Sequence, residues 1–408
     1  MIYFIPIILF VIGILRYDYM KIRRGRLFLW VIIGVYLSLL AGLRYKLGED
    51  TFQYLFAYDK MAPLDQLKPI DFQRSRYAPG FIILFSFFKM LSPEMVYFQL
   101  FQAFVVNAVV FYFFYKNCRN IFFAGIIYYI FLYHLFCFQE MREALAVSVF
   151  LLAWPFFQKR KWLLWYLMSL LAFSLHLSAI ILFLLPVICL PGIRNLFTYG
   201  NIKTPLIILG IVVLTFVIYQ KFFVFIQLIS ISDKMQERAE TYGAHELGGA
   251  LTNVKLILSI FIEYALYPLI VLYVLYNRNK HQKIKGFNNL DAFVLINIYV
   301  VIVSLFIIVA GRLRNYFFPF AILLLSDFIF SEVRIRGRKY VFNILTWFVF
   351  FSPMFLLHSY RLLYTKVNRS GTLRTYMAIY PYNSYIHKIE DYNQVRAYKM
   401  LFRPDRRK

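Results

Sequence analysis

The sequence predicts an all-α, polytopic membrane protein with about twelve transmembrane crossings. Of its 408 residues, 61% are hydrophobic and only 16% are charged, whereas soluble domains carry about 25% charged residues. Apolar runs recur along the chain, and their lengths are close to the roughly 20 residues that a helix needs to cross a bilayer. The clearest runs lie at 27–43, 94–115, 121–138, 254–276, 290–310 and 340–357. Clusters of Lys and Arg between the apolar segments are the third observation.

The first apolar stretch, residues 2–15, is expected to be retained as a helix. No basic residue precedes it, and no small-residue cleavage site follows it, as a signal peptide would require. The chain is therefore expected to be multi-pass from its first segment onward.

Short basic loops predict the orientation of the helices. They lie at 16–26, 116–119, 159–161, 194–203, 278–285 and 334–339. Lys and Arg accumulate in the cytoplasmic loops of membrane proteins, so these six loops are expected on the cytoplasmic side. The same bias accounts for the formal charge of +25, and nucleic acid is therefore not expected as a partner.

The remaining connections carry mixed charge and are expected to face outward. The two longest of them are residues 44–78 and 221–253. Residues 1–358 then form one transmembrane domain, and residues 359–408 form a soluble tail that is expected outside the membrane. Substrate specificity is expected in the two outer loops, because loops on a rigid scaffold vary most.

Two segments depart from simple crossings. Residues 79–91 are too short for a comfortable span and are bounded by Pro79 and Pro93, so they are expected to be re-entrant or interfacial. Residues 162–190 must cross the membrane outward and return, so each half of the segment is short. Their turn, near His176, is expected in a depression of the outer face.

Polar residues at helix ends gather on the predicted outer side. They are Arg44, Glu49, Asp50, Glu140, Arg142, Glu143, His176, Arg312, Arg314 and the tail segment YPYNSY at 380–385. An ionisable residue at the centre of a membrane helix costs about 2.5 to 3.5 kcal/mol on insertion scales, so each deserves a functional hypothesis. Several arginines around one cavity indicate an anionic ligand, because the guanidinium fork matches phosphate oxygens.

Each of these residues also has a structural interpretation. Arg44 ends a helix and could extend toward water. Asp50 and Gln53 have the spacing of a capping box for a short amphipathic helix. Arg142 has acids on both sides and could form a local ion pair, and His176 could be a hydrogen-bonded histidine in a helical bend. The three cysteines have neither disulfide nor metal-ligand spacing, so neither disulfides nor a zinc site is expected.

Short motifs with Arg, Gly, Asp and Tyr stand at helix ends in the first half of the chain. The segment RYKLGEDTFQY at 44–54, with Arg44, Gly48, Asp50 and Tyr54, resembles the Arg, then Gly-x-Asp, then Tyr pattern of the EpsG family of Wzy-like bacterial polysaccharide polymerases. MREALA at 141–146 resembles its Arg-Gln-x-hydrophobic-Ala helix start, although Glu143 stands where Gln is usual.

Further motifs continue the resemblance in the same order. His176 and Ser178 resemble a His-x-Ser motif, and Arg312 with Tyr316 and Phe317 resembles Arg-x-x-x-Tyr-Phe. The segment YAPGF at 77–81 differs from the family pattern, because Ala78 stands where Glu is usual. The resemblance extends from about residue 2 to about residue 385.

The resemblance implies a GT-C-like or Wzy-like helical bundle with an outward-facing cavity in the bacterial cytoplasmic membrane. The implied activity is polymerisation of oligosaccharide repeat units carried on undecaprenyl diphosphate, for capsule, O-antigen or exopolysaccharide. Donor and acceptor would both be lipid-linked glycans in the bilayer. A flippase and a chain-length regulator of the same pathway are the implied protein partners.

The resemblance also implies roles for the residues at the outer helix ends. Asp50 and His176 are the candidate bases for the acceptor hydroxyl, with Glu143 third. Arg142 and Arg312 would stabilise the leaving diphosphate. Arg44 and Arg314 would take diphosphate or sugar phosphate positions, and Tyr54, Tyr316 and Tyr382 would stack on or position the sugars. The implied reaction needs no nucleotide, no obligatory metal and no other cofactor.

Three other functions stay open from the residues alone. A GT-C glycosyltransferase that uses lipid-phosphate sugars would place acids in the first outer loop, where Glu49 and Asp50 lie. A lipid-linked oligosaccharide flippase would need a cationic cavity too, although it should carry charges deep in the membrane and repeat symmetry. A membrane O-acyltransferase could use His176.

Overall fold

The computed structural model describes the chain in two units. It describes residues 2–48, 50–194, 267–282, 288–304, 310–335 and 382–386, together with the isolated positions 197 and 210. One unit comprises Met1–Phe183 with His358–Lys408, and the other comprises Leu184–Leu357. The outer loop predicted at 221–253 and the apolar run at 340–357 lie outside the described residues.

The first unit is built from helices, without a β-strand among the residues described. Its helices are α1 (Ile5–Gly13), α2 (Arg26–Gly42), α3 (Thr51–Lys60), α4 (Pro69–Arg74), α5 (Pro79–Leu91), α6 (Val96–Asn117), α7 (Ile121–Tyr128), α8 (Met141–Gln158), α9 (Trp162–Leu175) and α10 (Ile181–Leu184). The π-helical turns Ile14–Tyr19, Tyr129–Tyr133 and Leu135–Gln139 extend α1 and α7, and 3₁₀ turns cover Leu64–Gln66 and Leu177–Ile180. A further 3₁₀ turn, Leu185–Cys189, lies in the second unit.

Helices α2 and α6 form an antiparallel pair at the centre of this unit. Near the start of α2, Trp30 Nε1 donates a hydrogen bond to the carbonyl of Phe111 at 3.2 Å. Near its end, Ser38 Oγ lies 3.4 Å from the carbonyl of Ala103. These contacts fix the direction of α6 as opposite to that of α2.

The segment after α7 is π-helical and is held by side chains of α6. Gln102 Nε2 donates to the carbonyl of Phe136 at 3.0 Å, and Asn107 Nδ2 donates to Cys137 Sγ at 3.6 Å. A π-helical turn leaves its backbone less regularly bonded than an α-helix, and such turns are frequent at functional sites. This one leads directly into α8.

The basic loops of the first unit share one end of it. Arg26 Nη2 donates to the carbonyl of Arg119 at 2.5 Å, which joins the loops at 16–26 and 116–119. Helix α8 starts beside the end of α2 and runs back toward the end of the unit where α2 begins. It forms a hairpin with α9, in which the ring centres of Phe157 and Trp165 are 4.8 Å apart. The third basic loop, 159–161, is the turn of that hairpin.

Helix α5 lies across the start of α6. Phe81, Phe85 and Phe88, each about one turn apart, all place their rings within 5.8 Å of the Phe98 ring. With 13 residues and a rise of about 1.5 Å per residue, α5 spans about 20 Å and is too short for the roughly 30 Å hydrocarbon core. That geometry suits the re-entrant or interfacial segment expected at 79–91.

The second unit contains α11 (Pro191–Arg194), α12 (Tyr267–Gln282), α13 (Asn289–Ser304) and α14 (Ala310–Ile335) in its described part. Arg278 and Asp291 form a buried ion pair where α12 ends and α13 begins. Asn297 on α13 donates to the carbonyl of Arg314 at 3.4 Å. Helix α14 therefore begins at the end of this unit opposite the ion pair.

The all-helical prediction is confirmed for the described residues, and the apolar helices together with the family assignment given below support a membrane protein. Within the described part, Val96–Asn117 is long and apolar enough to cross a bilayer by itself. Shorter apolar helices are Arg26–Gly42, Pro79–Leu91, Ile121–Tyr133, Trp162–Leu175, Leu177–Cys189 and Asn289–Ser304. The number of twelve crossings stays a prediction.

Candidate functional site

Arg142 lies in an aromatic cage at the start of α8. Its guanidinium carbon is 4.5 Å from the ring centre of Tyr77, 5.8 Å from that of Tyr54 and 5.9 Å from that of Phe81. These rings come from α3, from the residue pair that precedes α5, and from α5 itself. Aromatic faces attract a cation most strongly when water is largely excluded, and Arg142 is only partly exposed.

The Nε atom of Arg142 makes a hydrogen bond within the protein, whereas its terminal nitrogens have no hydrogen-bond or ion-pair partner among the described residues. Nε donates to the hydroxyl of Tyr54 at 3.3 Å. The ion pairs of the described part join Arg26 with Asp18 and Arg278 with Asp291, so the expected local pair of Arg142 with its flanking acids is not formed. The terminal nitrogens therefore keep their donors for an anion.

Arg44 occupies a different environment, although the sequence suggests the same role. It is fully buried, and its Nε donates to the carbonyl of Leu47 at 3.2 Å. Its terminal nitrogens contact the carbonyl of Ala41 and Met141 Sδ. The guanidinium thus joins the end of α2 to the start of α8 and presents no exposed surface.

The loop after Arg44 packs against the residues that precede α8. Thr51 Oγ1 lies 3.3 Å from the carbonyl of Phe138. Gly48 has a φ of +105°, and a side chain there would overlap that same carbonyl. Glycine adopts this left-handed conformation without strain. The loop and the π-helical segment therefore fix each other, and with them the position of Arg142.

A short part of the C-terminal tail covers this region. Tyr45 N–H donates to the carbonyl of Asn383 and Tyr385 N–H donates to that of Leu43, both at 2.9 Å. The hydroxyl of Tyr382 donates to the carbonyl of Leu40 at 2.9 Å. Burial raises the pKa of Tyr382 to about 12, so this phenol remains neutral and keeps its donor.

Asp50 lies at the first turn of α3, four residues before Tyr54. The predicted capping box is wrong, because the Asp50 backbone is helical and its side chain makes no capping hydrogen bond. Gln53 instead accepts a hydrogen bond from Arg76 at 2.5 Å. Burial raises the pKa of the Tyr54 phenol, the Arg142 cation lowers it, and the Asp50 charge adds to the increase.

His176 and Glu143 lie at neighbouring helix ends. His176 follows the last residue of α9 in an extended conformation, and its Nδ1 lies 2.5 Å from Ser178 Oγ. The last turn of α9 touches α5 so closely at Ser174 that no side chain fits at Gly80, next to Phe81 of the cage. Glu143 is buried in the first turn of α8.

The first unit therefore brings several predicted site residues to the end opposite its basic loops. They are Arg44, Asp50, Tyr54, Arg142, Glu143, His176 and Tyr382. In the second unit, Arg312 is exposed, Arg314 is partly exposed and Tyr316 is buried, all near the start of α14. Glu49 lies outside the described residues.

Sequence reasoning missed the other side chains around Arg142. Tyr77 and Phe81 form most of the cage, and Arg76 lies 5.3 Å from the Tyr77 ring centre. A sequence signal was present, since Arg76 and Tyr77 directly precede the proline that opens α5. From the sequence alone, the segment YAPGF at 77–81 indicates only a departure from a family motif at Ala78.

The sequence profile of the EpsG family matches residues 27–398, nearly the whole chain. The chain belongs to the EpsG family. This family includes Wzy-like polysaccharide polymerases, so membership indicates a polysaccharide polymerase-type role for this EpsG family protein. The chain matches no curated protein and no solved structure at a significant level.

The described part of this EpsG family protein contains no group of three or more His, Cys, Asp or Glu side chains that could hold a metal ion. Metal independence stays a prediction. What the site offers chemically is one guanidinium with unused donors, a phenol beside it, and carboxylate and imidazole groups on adjacent helix ends.

Proposed function

We propose that this EpsG family protein polymerises lipid-linked oligosaccharide repeat units at the outer face of the cytoplasmic membrane. The growing glycan is transferred from its undecaprenyl diphosphate to the non-reducing end of the next lipid-linked unit. Family membership supports polymerisation, and the placement of Arg142 and His176 opposite the basic loops supports the outer face.

The observation that carries the proposal is the state of Arg142. Its guanidinium is oriented by the Tyr54 hydroxyl and by the rings of Tyr54, Tyr77 and Phe81, while its terminal nitrogens have no hydrogen-bond or ion-pair partner in the described part of the chain. A preorganised donor in a partly dehydrated site stabilises charge that develops during a reaction. Such a donor suits a leaving diphosphate.

The reaction breaks the bond between the anomeric carbon of the donor sugar and the diphosphate oxygen. The acceptor hydroxyl oxygen forms a new bond to that carbon, its proton passes to a base, and the electron pair of the broken bond stays on the lipid diphosphate. Asp50 and His176 are the proposed bases, because both lie at helix ends near the cage and carry groups that accept a proton. Glu143 is third, since it is almost fully buried.

The structural contacts suggest a division of labour between the two arginines. Arg44 is assigned a scaffolding role, because all its nitrogens already contact the protein and it has no exposed surface. Tyr54 accepts its bond from Arg142 and can still donate its own hydrogen to a sugar or phosphate oxygen. Within the second unit, Arg312 and Arg314 are proposed as phosphate ligands, with the buried Tyr316 as a packing residue on the same helix. Tyr382, in the first unit, is proposed to help position the sugar.

The test is the length distribution of lipid-linked glycan in cells that lack the protein. A polymerase defect leaves single repeat units on lipid at the outer face, and the wild-type gene restores the ladder of longer chains. The Arg142→Gln variant, inserted at wild-type amount, should behave like the deletion. A full ladder with this variant would overturn the proposal.

Two other outcomes would indicate different functions. Single units that remain on the cytoplasmic side would indicate a flippase. Loss of activity of the purified protein on addition of a chelator, with a lipid-monophosphate sugar as the preferred donor, would indicate a GT-C glycosyltransferase. Continued activity in chelator supports the polymerase.

A further inference from the structure

Arg76 lies beside the candidate site and has no role in the chemistry so far. Its guanidinium carbon is 5.3 Å from the ring centre of Tyr77, and its Nη2 is 3.5 Å from the Tyr77 hydroxyl. Arg142 contacts the same ring at 4.5 Å. The two guanidinium carbons therefore lie at most about 10 Å apart, both within cation–π range of one tyrosine.

The charge of Arg76 has no acidic partner among the residues described. Its hydrogen bond goes to the neutral amide of Gln53, and neither ion pair of the described part includes it. Gln53 directly precedes Tyr54 on α3, and Tyr54 holds Arg142. Two adjacent residues of one helix thus position two arginines, each through a neutral group that leaves the positive charge uncompensated.

The backbone near both arginines also favours an anion. Arg142 is the second residue of α8, and Arg76 and Tyr77 immediately precede the N-cap residue of α5. The N-cap residue of neither helix makes a side-chain capping bond. The N-terminus of a helix carries partial positive charge and unpaired N–H groups, which adds to the attraction of the two guanidinium groups.

We propose that Arg76 binds the second phosphate of a prenyl diphosphate whose first phosphate binds Arg142. Two phosphoryl groups joined by one oxygen can reach both guanidinium groups when each phosphate takes one of them. A lipid monophosphate reaches only one. The assignment rests on the proposed function for its substrate, and it makes Arg76 the residue that distinguishes diphosphate from monophosphate carriers.

The test uses purified full-length protein in detergent, with farnesyl diphosphate and farnesyl monophosphate as probes. Wild-type protein should bind the diphosphate more tightly. Arg76→Gln should weaken diphosphate binding about tenfold to a hundredfold, the effect of a hydrogen bond to a charged group, and leave monophosphate binding unchanged. Arg142→Gln should weaken binding of both probes.

Lys60→Gln is the matched control. Lys60 is an exposed cation on α3 and lies 4.0 Å from the ring of Phe56, so the substitution removes one charge without touching the cage. Arg76 is exposed as well, but Lys60 contacts the Phe56 ring outside the cage, so its substitution should change both affinities by less than about twofold. Gln53→Leu is a second variant. It removes the acceptor of the Arg76 hydrogen bond but leaves the Arg76 charge in place, and it should lower the affinity for the diphosphate without changing that for the monophosphate.

Equal weakening of both probes by Arg76→Gln, or no weakening of either, would overturn the assignment. Its failure is separable from that of the proposed function. If deletion of the gene leaves single repeat units on lipid but Arg76→Gln protein binds both probes like wild type, the role of Arg76 is rejected and the proposed function stands. If diphosphate binding depends on Arg76 but deletion of the gene leaves the glycan length distribution unchanged, the role of Arg76 stands and the polymerase function is rejected.

Discussion

The backbone of Arg44 pairs with the backbone of Ser384, which joins the end of α2 to the C-terminal tail. The pairing includes the hydrogen bonds from Tyr45 to Asn383 and from Tyr385 to Leu43. A chain truncated after residue 381 should therefore have a lower thermal midpoint, because it loses these bonds at about 0.5 to 1.5 kcal/mol each. Fluorescence-detected thermal unfolding in detergent measures the change.

A chain truncated after residue 386 is the control for this experiment, since it retains the paired segment. Its thermal midpoint should lie above that of the chain truncated after residue 381. If the two truncated chains unfold at the same temperature, residues 382–386 do not contribute to the stability of the first unit.

Arg44→Met should destabilise the fold, whereas Arg142→Gln should remove activity from a folded protein. Arg44 is fully buried and bonds two carbonyl groups, and each hydrogen bond of a charged group contributes about 1.5 to 3 kcal/mol. Arg142 is partly exposed and bonds one phenol. Thermal midpoint and polymer length should thus change separately in the two variants; a stable but inactive Arg44→Met protein would argue for direct ligand binding by Arg44.

Tyr54→Phe should lower polymerase activity about tenfold to a hundredfold. The ring remains in the cage, but Arg142 Nε loses its hydrogen-bond acceptor, and bonds to a charged group contribute about 1.5 to 3 kcal/mol. Tyr58→Phe is the matched control on the same helix, because the Tyr58 hydroxyl donates to the carbonyl of Ser92, outside the cage, at 2.9 Å. The two variants should differ clearly in rates of glycan transfer, and equal rates would contradict the role of the Tyr54 hydroxyl.

Asp18→Asn should make the stability of the first unit less dependent on pH. Asp18 lies in the basic loop at 16–26, fully buried, where it accepts the N–H of Phe123 at 2.9 Å. Burial raises the pKa of Asp18 to about 7, in spite of the nearby charges of Arg26 and Lys21. The folded chain therefore binds a proton that the unfolded chain releases near pH 4, and stability should fall as the pH rises toward and through 7.

Thermal unfolding at pH 5 and at pH 8 tests this prediction. The wild-type midpoint should be lower at pH 8, and the Asp18→Asn variant should lose most of that difference, because asparagine does not titrate. A wild-type midpoint that increases between pH 5 and pH 8 would show that another group dominates the titration.

Several helices of the described part could be predicted from the sequence, because helix formation depends largely on local information. Helix α6 was predicted at 94–115 and is observed at Val96–Asn117, since its apolar run is long and bounded by charge. The break at His176 was predicted in the same way, from two short apolar halves. Arg142 and Tyr54 could be named as candidates because their motif positions are local too, and their roles stay predictions.

The sequence by itself determined that the chain is helical and rich in membrane-compatible segments, and which residues with relevant chemistry stand at the helix ends. Only the tertiary structure decided that Arg44 is enclosed while Arg142 keeps unused donors, and that Gln53 holds Arg76 rather than capping α3. The exposure of a side chain depends on neighbours from distant segments, here the tail at 382–385 and the turn at Tyr77, and no local pattern encodes those neighbours.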